Sequence, residues 1–296
     1  MSQSEQKEVD LKRYKKKSQA KEIWNRMKKN KPAMVGLVII SIFVLVAIFA
    51  DVLAGYDKAI GPNIAERLQP PSASHWFGTD EYGRDEFARI IHGARVSLSI
   101  GVITVSIAIL VGGIIGAIAG YFGGKLDNII MRLMDTIMAI PPILLTLAIV
   151  AALGTGLTNL LIAITIASFP IFARVIRSVV LPVVGQDFIE AARACGTSDR
   201  RIILRHILPN AIGPIIVQAT MAVAGMIITA AALSFIGMGI QPPNPEWGSM
   251  LSSSREYMMT SPYLTFIPGI AIILASLSLN LLGDGLRDAL DPKLRK

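Results

Sequence analysis

The sequence predicts an all-α membrane protein with six transmembrane helices and both termini in the cytoplasm. Three observations carry this. Of 296 residues, 52% are hydrophobic and only 17% are charged, and the mean hydropathy is +0.55. An ordinary soluble domain carries about 25% charged residues. The charges come in clusters, with long uncharged runs between them. Those runs lack the alternation of a transmembrane barrel strand, so helices are the economical way to satisfy backbone polar groups in lipid.

The elements follow in order. Residues 1–32 form a basic tail (RYKKK, then RMKKNK) that suits an anionic lipid surface. The apolar segment after it is span length, which marks an uncleaved anchor rather than a signal peptide. The first span is 33–53, and with the loop to residue 95 it makes one unit. The second, 96–119, has no charge in 24 positions. Gly112, Gly116 and Gly120 recur on it every fourth residue, a spacing that lets helix backbones approach closely.

The third and fourth spans share one uncharged run of 38 residues, 136–173. At 1.5 Å rise per residue that is about 57 Å, too long for a single crossing. LGTGLTN (153–159) supplies the turn that folds it into a hairpin. Pro141, Pro142 and Pro170 predict kinks in these two spans. The fifth span is 211–235 and the sixth 263–282. Residues 96–283 are therefore a five-helix core, followed by a short tail, 284–296.

Orientation follows from Lys and Arg. Of the 29 in the chain, 23 fall in the two tails and the loops at 121–132 and 173–210. That side is predicted to be cytoplasmic. The opposite side holds the loops 54–95 and 237–262. Their prolines, glycines and aromatics predict ordered loops with short interfacial helices, and Trp76, Trp247, Tyr82 and Tyr263 suit a membrane–water boundary.

Sites for intrinsic chemistry are missing from the pattern. The span centres carry no charge that could relay protons or ions. Arg132, Asp135, Arg174 and Arg177 lie at span ends, as snorkelling or inter-helix pairs. His75, His92 and His206 are scattered, so no metal site is expected. No GxxxxGK[ST] loop is present, so ATP is not expected to bind by that route. The lone Cys195 cannot form an intrachain disulfide and reads as a small packed residue.

One polar segment stands out between two apolar stretches: EAARACGTSDRRIILRHILP, residues 190–209, within a loop of about 181–210. Residues 187–195 predict a short helix, and Gly196 fits a left-handed terminator. Thr197 or Ser198 can cap a second helix with Asp199 in its first turn. Arg200, Arg201 and Arg205 follow, and Pro209 ends the pattern. A DNA-binding helix-turn-helix has the same outline, but both ends of this segment are tethered to the bilayer. Docking into a protein cleft fits better: Ala191, Ala192 and Ala194 allow close approach, and the arginines add charge. That points to a transporter coupled to a partner. The competing class is a stand-alone channel or secondary carrier, which would need a polar relay in the spans.

The segment resembles the EAA loop of permease subunits of bacterial binding-protein-dependent ABC importers. Glu190, Ala191, Ala192, Gly196, Leu208 and Pro209 fill that pattern, while His206 stands where isoleucine is usual. FGTDEYGRD (77–85, with Gly78, Thr79, Asp80, Gly83, Arg84 and Asp85), AGYFGG (119–124), LSFIGMGIQPPNPEWG (233–248) and NLLGDGLRDALDPKL (280–294) resemble the "C" permease of the dipeptide/oligopeptide/nickel branch. Ala230 departs from relatives that carry an acid there.

The resemblance implies a MetI-like permease fold in the bacterial cytoplasmic (inner) membrane. It implies a second homologous permease, two cytoplasmic ATP-binding subunits and an extracytoplasmic substrate-binding protein as partners. ATP and Mg would be bound by the partner ATPases, with no cofactor, metal or catalytic residue in this chain and no nucleic acid. Glu190, Ala191, Ala192 and Gly196 would shape the coupling element, with Arg200 and Arg201 on its rim. Di- or oligopeptides are the expected cargo, with nickel or another small solute as the alternative.

Overall fold

The computed structural model describes residues 19–290, all helices and loops; the basic run 13–17 and the last residues, 291–296, lie outside them. Helix α1, Gln19–Met27, is amphipathic and leads into α2, Lys31–Ile48. Asn30 starts α2 by accepting the Ala33 N–H at 3.1 Å, with Pro32 in the first turn. Two short helices, α3 (Ala50–Leu53) and α4 (Tyr56–Ile60), open the loop that returns to α5, Glu86–Phe122. At 37 residues, about 55 Å, α5 runs well beyond the uncharged 96–119 stretch.

Gly123 and Gly124 at the end of α5 have φ of +62° and +57°. Two successive left-handed residues turn the chain at once into α6, Gly124–Met138, which is amphipathic. Next come α7, Pro142–Leu153, and α8, Leu157–Val184. The predicted turn between 153 and 159 is present, with Asn159 bonding the Leu153 and Gly154 carbonyls.

The third crossing differs from a kinked span. α7 has only 12 residues, and it meets α6 at 79°. The cause is the proline pair: Pro142 forces Pro141 into extended backbone, ψ 129°, and neither residue has an N–H to give. Five helices are long and apolar enough to cross a membrane, and the bent α6–α7 pair has the length and composition of a sixth, broken span or of a re-entrant loop. Pro170, by contrast, sits inside an unbroken α8.

The polar loop follows as α9 (Asp187–Ala194) and α10 (Asp199–Ile202). Pro209 does not end the pattern. A π-helical turn, Ile203–Ile207, carries the chain from α10 straight into α11, Leu208–Phe235. Pro209 then occupies the first turn of α11, where its missing N–H is harmless. Ser198 stands at the start of α10 without a side-chain capping bond. The last described helices are α12 (Trp247–Ser254) and α13 (Tyr263–Leu290).

α5 and α8 pack closely along the glycine row. A Cβ on Gly112 would sit 2.5 Å from the Phe169 carbonyl oxygen, one on Gly116 2.2 Å from that of Ala173, and one on Gly120 2.9 Å from Val180. α6 is fastened to α8 by Arg177, whose guanidinium holds both Asp127 oxygens at 2.5 Å, and by an Arg174–Asp135 pair. Ala230 of α11 is buried among Ile100, Leu160, Ile164 and Leu233. An acid at that position would be packed among apolar side chains.

Candidate functional site

The bundle presents two built ends. One gathers the loops around 54–95 and 237–262. Asp80 is its hub: one carboxylate oxygen accepts the Tyr82 and Arg84 N–H groups at 2.9 Å, and the other takes the Arg84 Nε at 2.6 Å and faces the Arg89 Nε at 3.3 Å. The Thr79 hydroxyl accepts the Gln69 N–H at 2.9 Å and donates to the Glu66 carbonyl. Asp85 caps α5 by accepting the Ala88 N–H at 2.8 Å, and its other oxygen meets His75 at 2.8 Å. Gly83 has φ +73°, and a Cβ there would overlap the Asn63 carbonyl at 1.7 Å; Gly78 is similar, at φ +79° beside Gln69. Thus Gly78, Thr79, Asp80, Gly83 and Arg84 are buried, Asp85 is half-buried, and all six fold the loop from within.

The second loop locks onto the same end. Glu246 caps α12 by accepting the Gly248 and Ser249 N–H groups at 2.8 Å, and Ser97 of α5 donates to it at 3.3 Å. Burial pushes its carboxyl above the usual range, against those donors. Trp247, expected at a membrane boundary, is fully buried. Its Nε1 donates to the Ile90 carbonyl at 3.1 Å, and its ring meets Phe43 edge-on. A tryptophan that buries both ring and N–H is worth more as a core anchor than as a lipid belt. Trp76 stays exposed, as does Tyr82, and the half-buried Tyr263 hydroxyl lies 2.9 and 3.0 Å from the Gln69 and Thr79 carbonyls.

The opposite end carries residues 185–209. Its inner face is apolar and fixed: Ile189, Ile202 and Ile207 are fully buried against Ile176, Val180 and Ala117. Its outer face is open. Glu190, Ala191, Ala194, Arg200, Arg201 and Pro209 are exposed, while Ala192 and Leu208 are half-buried. Gly196 is left-handed, φ +73°. Its N–H bonds the Arg193 carbonyl at 2.9 Å and the Thr197 N–H bonds that of Ala192 at 3.1 Å, the crossed pair of a Schellman turn. Cys195 is exposed beside it, not packed.

Two participants escaped the sequence. Tyr121, at the end of α5, donates its hydroxyl to Asp199 of α10 at 2.5 Å, and the Arg193 guanidinium of α9 lies 4.9 Å from its ring centre. The signal was the tyrosine in AGYFGG, a polar tip closing an apolar span.

An inward-anchored loop of two short helices with an open outer face thus closes one end of the bundle. Residues 112–296 match the family described as binding-protein-dependent transport system inner membrane component, and residues 18–71 match the N-terminal transmembrane domain of oligopeptide transport permease C. The chain belongs to the first of these families. Over 275 residues the permease is 51% identical to the dipeptide transport system permease protein DppC of Alkalihalophilus pseudofirmus, covering 93% of this chain and 90% of that one. It is 46% identical over 274 residues to the glutathione transport system permease protein GsiD of Escherichia coli O6:K15:H31, with the same coverage. Among solved structures, the inward-facing MetNI methionine ABC transporter shares the fold, with a TM-score of 0.57 at 17% identity over 69% of this chain and 96% of that chain. The permease is a multi-pass inner-membrane subunit of an ABC importer and not itself an enzyme. A stand-alone channel or secondary carrier falls with that membership.

Proposed function

We propose that this permease forms half of a translocation pathway for di- or oligopeptides and couples it to ATP hydrolysis in separate subunits. Both named relatives carry peptides, since glutathione is a tripeptide. Two cytoplasmic ATPases would bind ATP and Mg, a second homologous permease would complete the pathway, and an extracytoplasmic binding protein would deliver the peptide. Both termini and the 185–209 loop face the cytoplasm in this reading, with Glu190, Ala191, Ala192 and Gly196 shaping the element that enters an ATPase cleft.

One observation carries it. The loop buries Ile189, Ile202 and Ile207 and leaves Glu190, Ala191, Ala194, Arg200 and Arg201 open, the division required of an element that must be rigid on one side and docked on the other. The test is a gentle detergent purification from native membranes, with mass spectrometry of the co-purifying chains, an ATPase assay and screening of the recovered binding protein with peptides. Recovery of a sister permease, nucleotide-binding subunits and a peptide-binding protein supports the reading. Recovery of this chain alone, without ATPase activity, defeats it.

A further inference from the structure

α5 joins the 54–95 loop at one end of the bundle to the 185–209 loop at the other, and α11 runs from that loop to 237–262. α5 is capped at its first turn by Asp85, and Arg89 reaches from it to the Ala59 carbonyl at 3.1 Å and to Asp80. It then runs 37 residues without a break, with α8 laid against its glycines. At its far end Tyr121 touches both short helices of the 185–209 loop: Asp199 through its hydroxyl, Arg193 through its ring. Around that contact Ile189, Ile202 and Ile207 close an apolar seat that includes the Tyr121 ring itself.

We propose that Tyr121 is the positioning residue that fastens the 185–209 loop to α5, so that α5 transmits movement of the far loops to the ATPase-facing helices as a rigid link. The proposal rests on the importer reading and names how its two ends communicate. The contact is built for this. α9 is too short to be stable alone, α10 is the first turn of the helical run that continues into α11, and the angle between them is set by the left-handed Gly196 turn and by what holds them from beneath. The phenol holds one helix through a charge-assisted hydrogen bond and the other through its π face. Without the hydroxyl the apolar seat remains but the polar Asp199 contact is lost, and α5 holds α10 through Ile202 alone, a looser link.

The experiment uses the assembled transporter, reconstituted in vesicles, and measures ATP hydrolysis with and without its binding protein as isolated with bound ligand. Tyr121→Phe should assemble and melt like the native complex but lose stimulation by roughly five- to tenfold, the size of an ordinary coupling between sites. Asp199→Ala should show the same loss. Asp199→Asn, which keeps an acceptor for the hydroxyl, should retain most of the stimulation. A purely structural role would lower assembly, basal rate and stimulated rate together and leave their ratio unchanged. Native stimulation in both Tyr121→Phe and Asp199→Ala overturns the proposal, as does a parallel fall in basal and stimulated rates. A native complex that neither binds nucleotide-hydrolysing subunits nor responds to a binding protein overturns the importer reading as well.

Discussion

At the scale of single residues, the 185–209 loop turns on a backbone angle. Gly196 sits at φ +73° with nothing within 4 Å of where a Cβ would point. A substitution there meets no steric wall, so its effect is conformational. Valine in a left-handed position costs about 1–2 kcal/mol or more, whereas asparagine tolerates it. Gly196→Val should abolish peptide uptake with the complex still assembled, and Gly196→Asn should keep most uptake. Equal uptake by both variants would remove the role assigned to the turn. Glu246 at the opposite end is governed by burial. Its folded pKa is raised, so the folded state binds a proton more tightly than the unfolded chain. The stability this contributes is full below the unfolded carboxylate range and is lost as pH climbs through the raised value. Glu246→Gln removes the titration. The melting temperature of the native permease relative to this variant should therefore fall as pH rises above the unfolded carboxylate range, and a difference independent of pH would contradict the assignment.

At the scale of elements, the glycine row on α5 decides how tightly the long helix is held. Gly116→Ala places a methyl 2.2 Å from the Ala173 carbonyl oxygen, and backbone on the facing helix cannot step aside as a side chain would. It should lower the melting temperature by an overpacking penalty of about 1–3 kcal/mol. Gly225→Ala in α11 meets nothing within 4 Å and gains helix propensity, so it should melt at or above the native value. Fluorescence-detected gel filtration after heating compares the two, and equal melting would mean that α5 and α8 are not in close contact. The row was legible because a four-residue glycine period has one geometric meaning on a helix. So were the 153–159 turn and the left-handed Gly196. The broken third crossing was not, since hydropathy is blind to the direction of a chain, and the proline pair reads as a kink until its neighbours fix the angle. The π turn was missed because a proline after a polar helix normally signals an end. Trp247 and Cys195 exchanged expected places, because composition places a residue type on average and tertiary packing decides each case.

At the scale of the whole molecule, the 185–209 loop and the 54–95 and 237–262 loops lie at opposite ends, and the bias of 23 out of 29 basic residues predicts that the first faces the cytoplasm. One side chain makes this measurable without engineering. Cys195 is the only cysteine in the chain, and it is exposed next to Gly196 on the face left open for a partner. A membrane-impermeant maleimide should leave the permease unlabelled in intact spheroplasts and label it in inverted membrane vesicles. Labelling of spheroplasts would reverse the orientation and place the open loop where no ATPase could reach it. The same thiol reports docking. In inverted vesicles from cells making the permease alone it should react freely, and with its ATPase subunits co-expressed it should be protected, because an inserted α9–α10 pair carries Cys195 into the cleft. Labelling at the same rate in both preparations would mean that the ATPases grip some other surface. The open face of the loop would then need a different occupant.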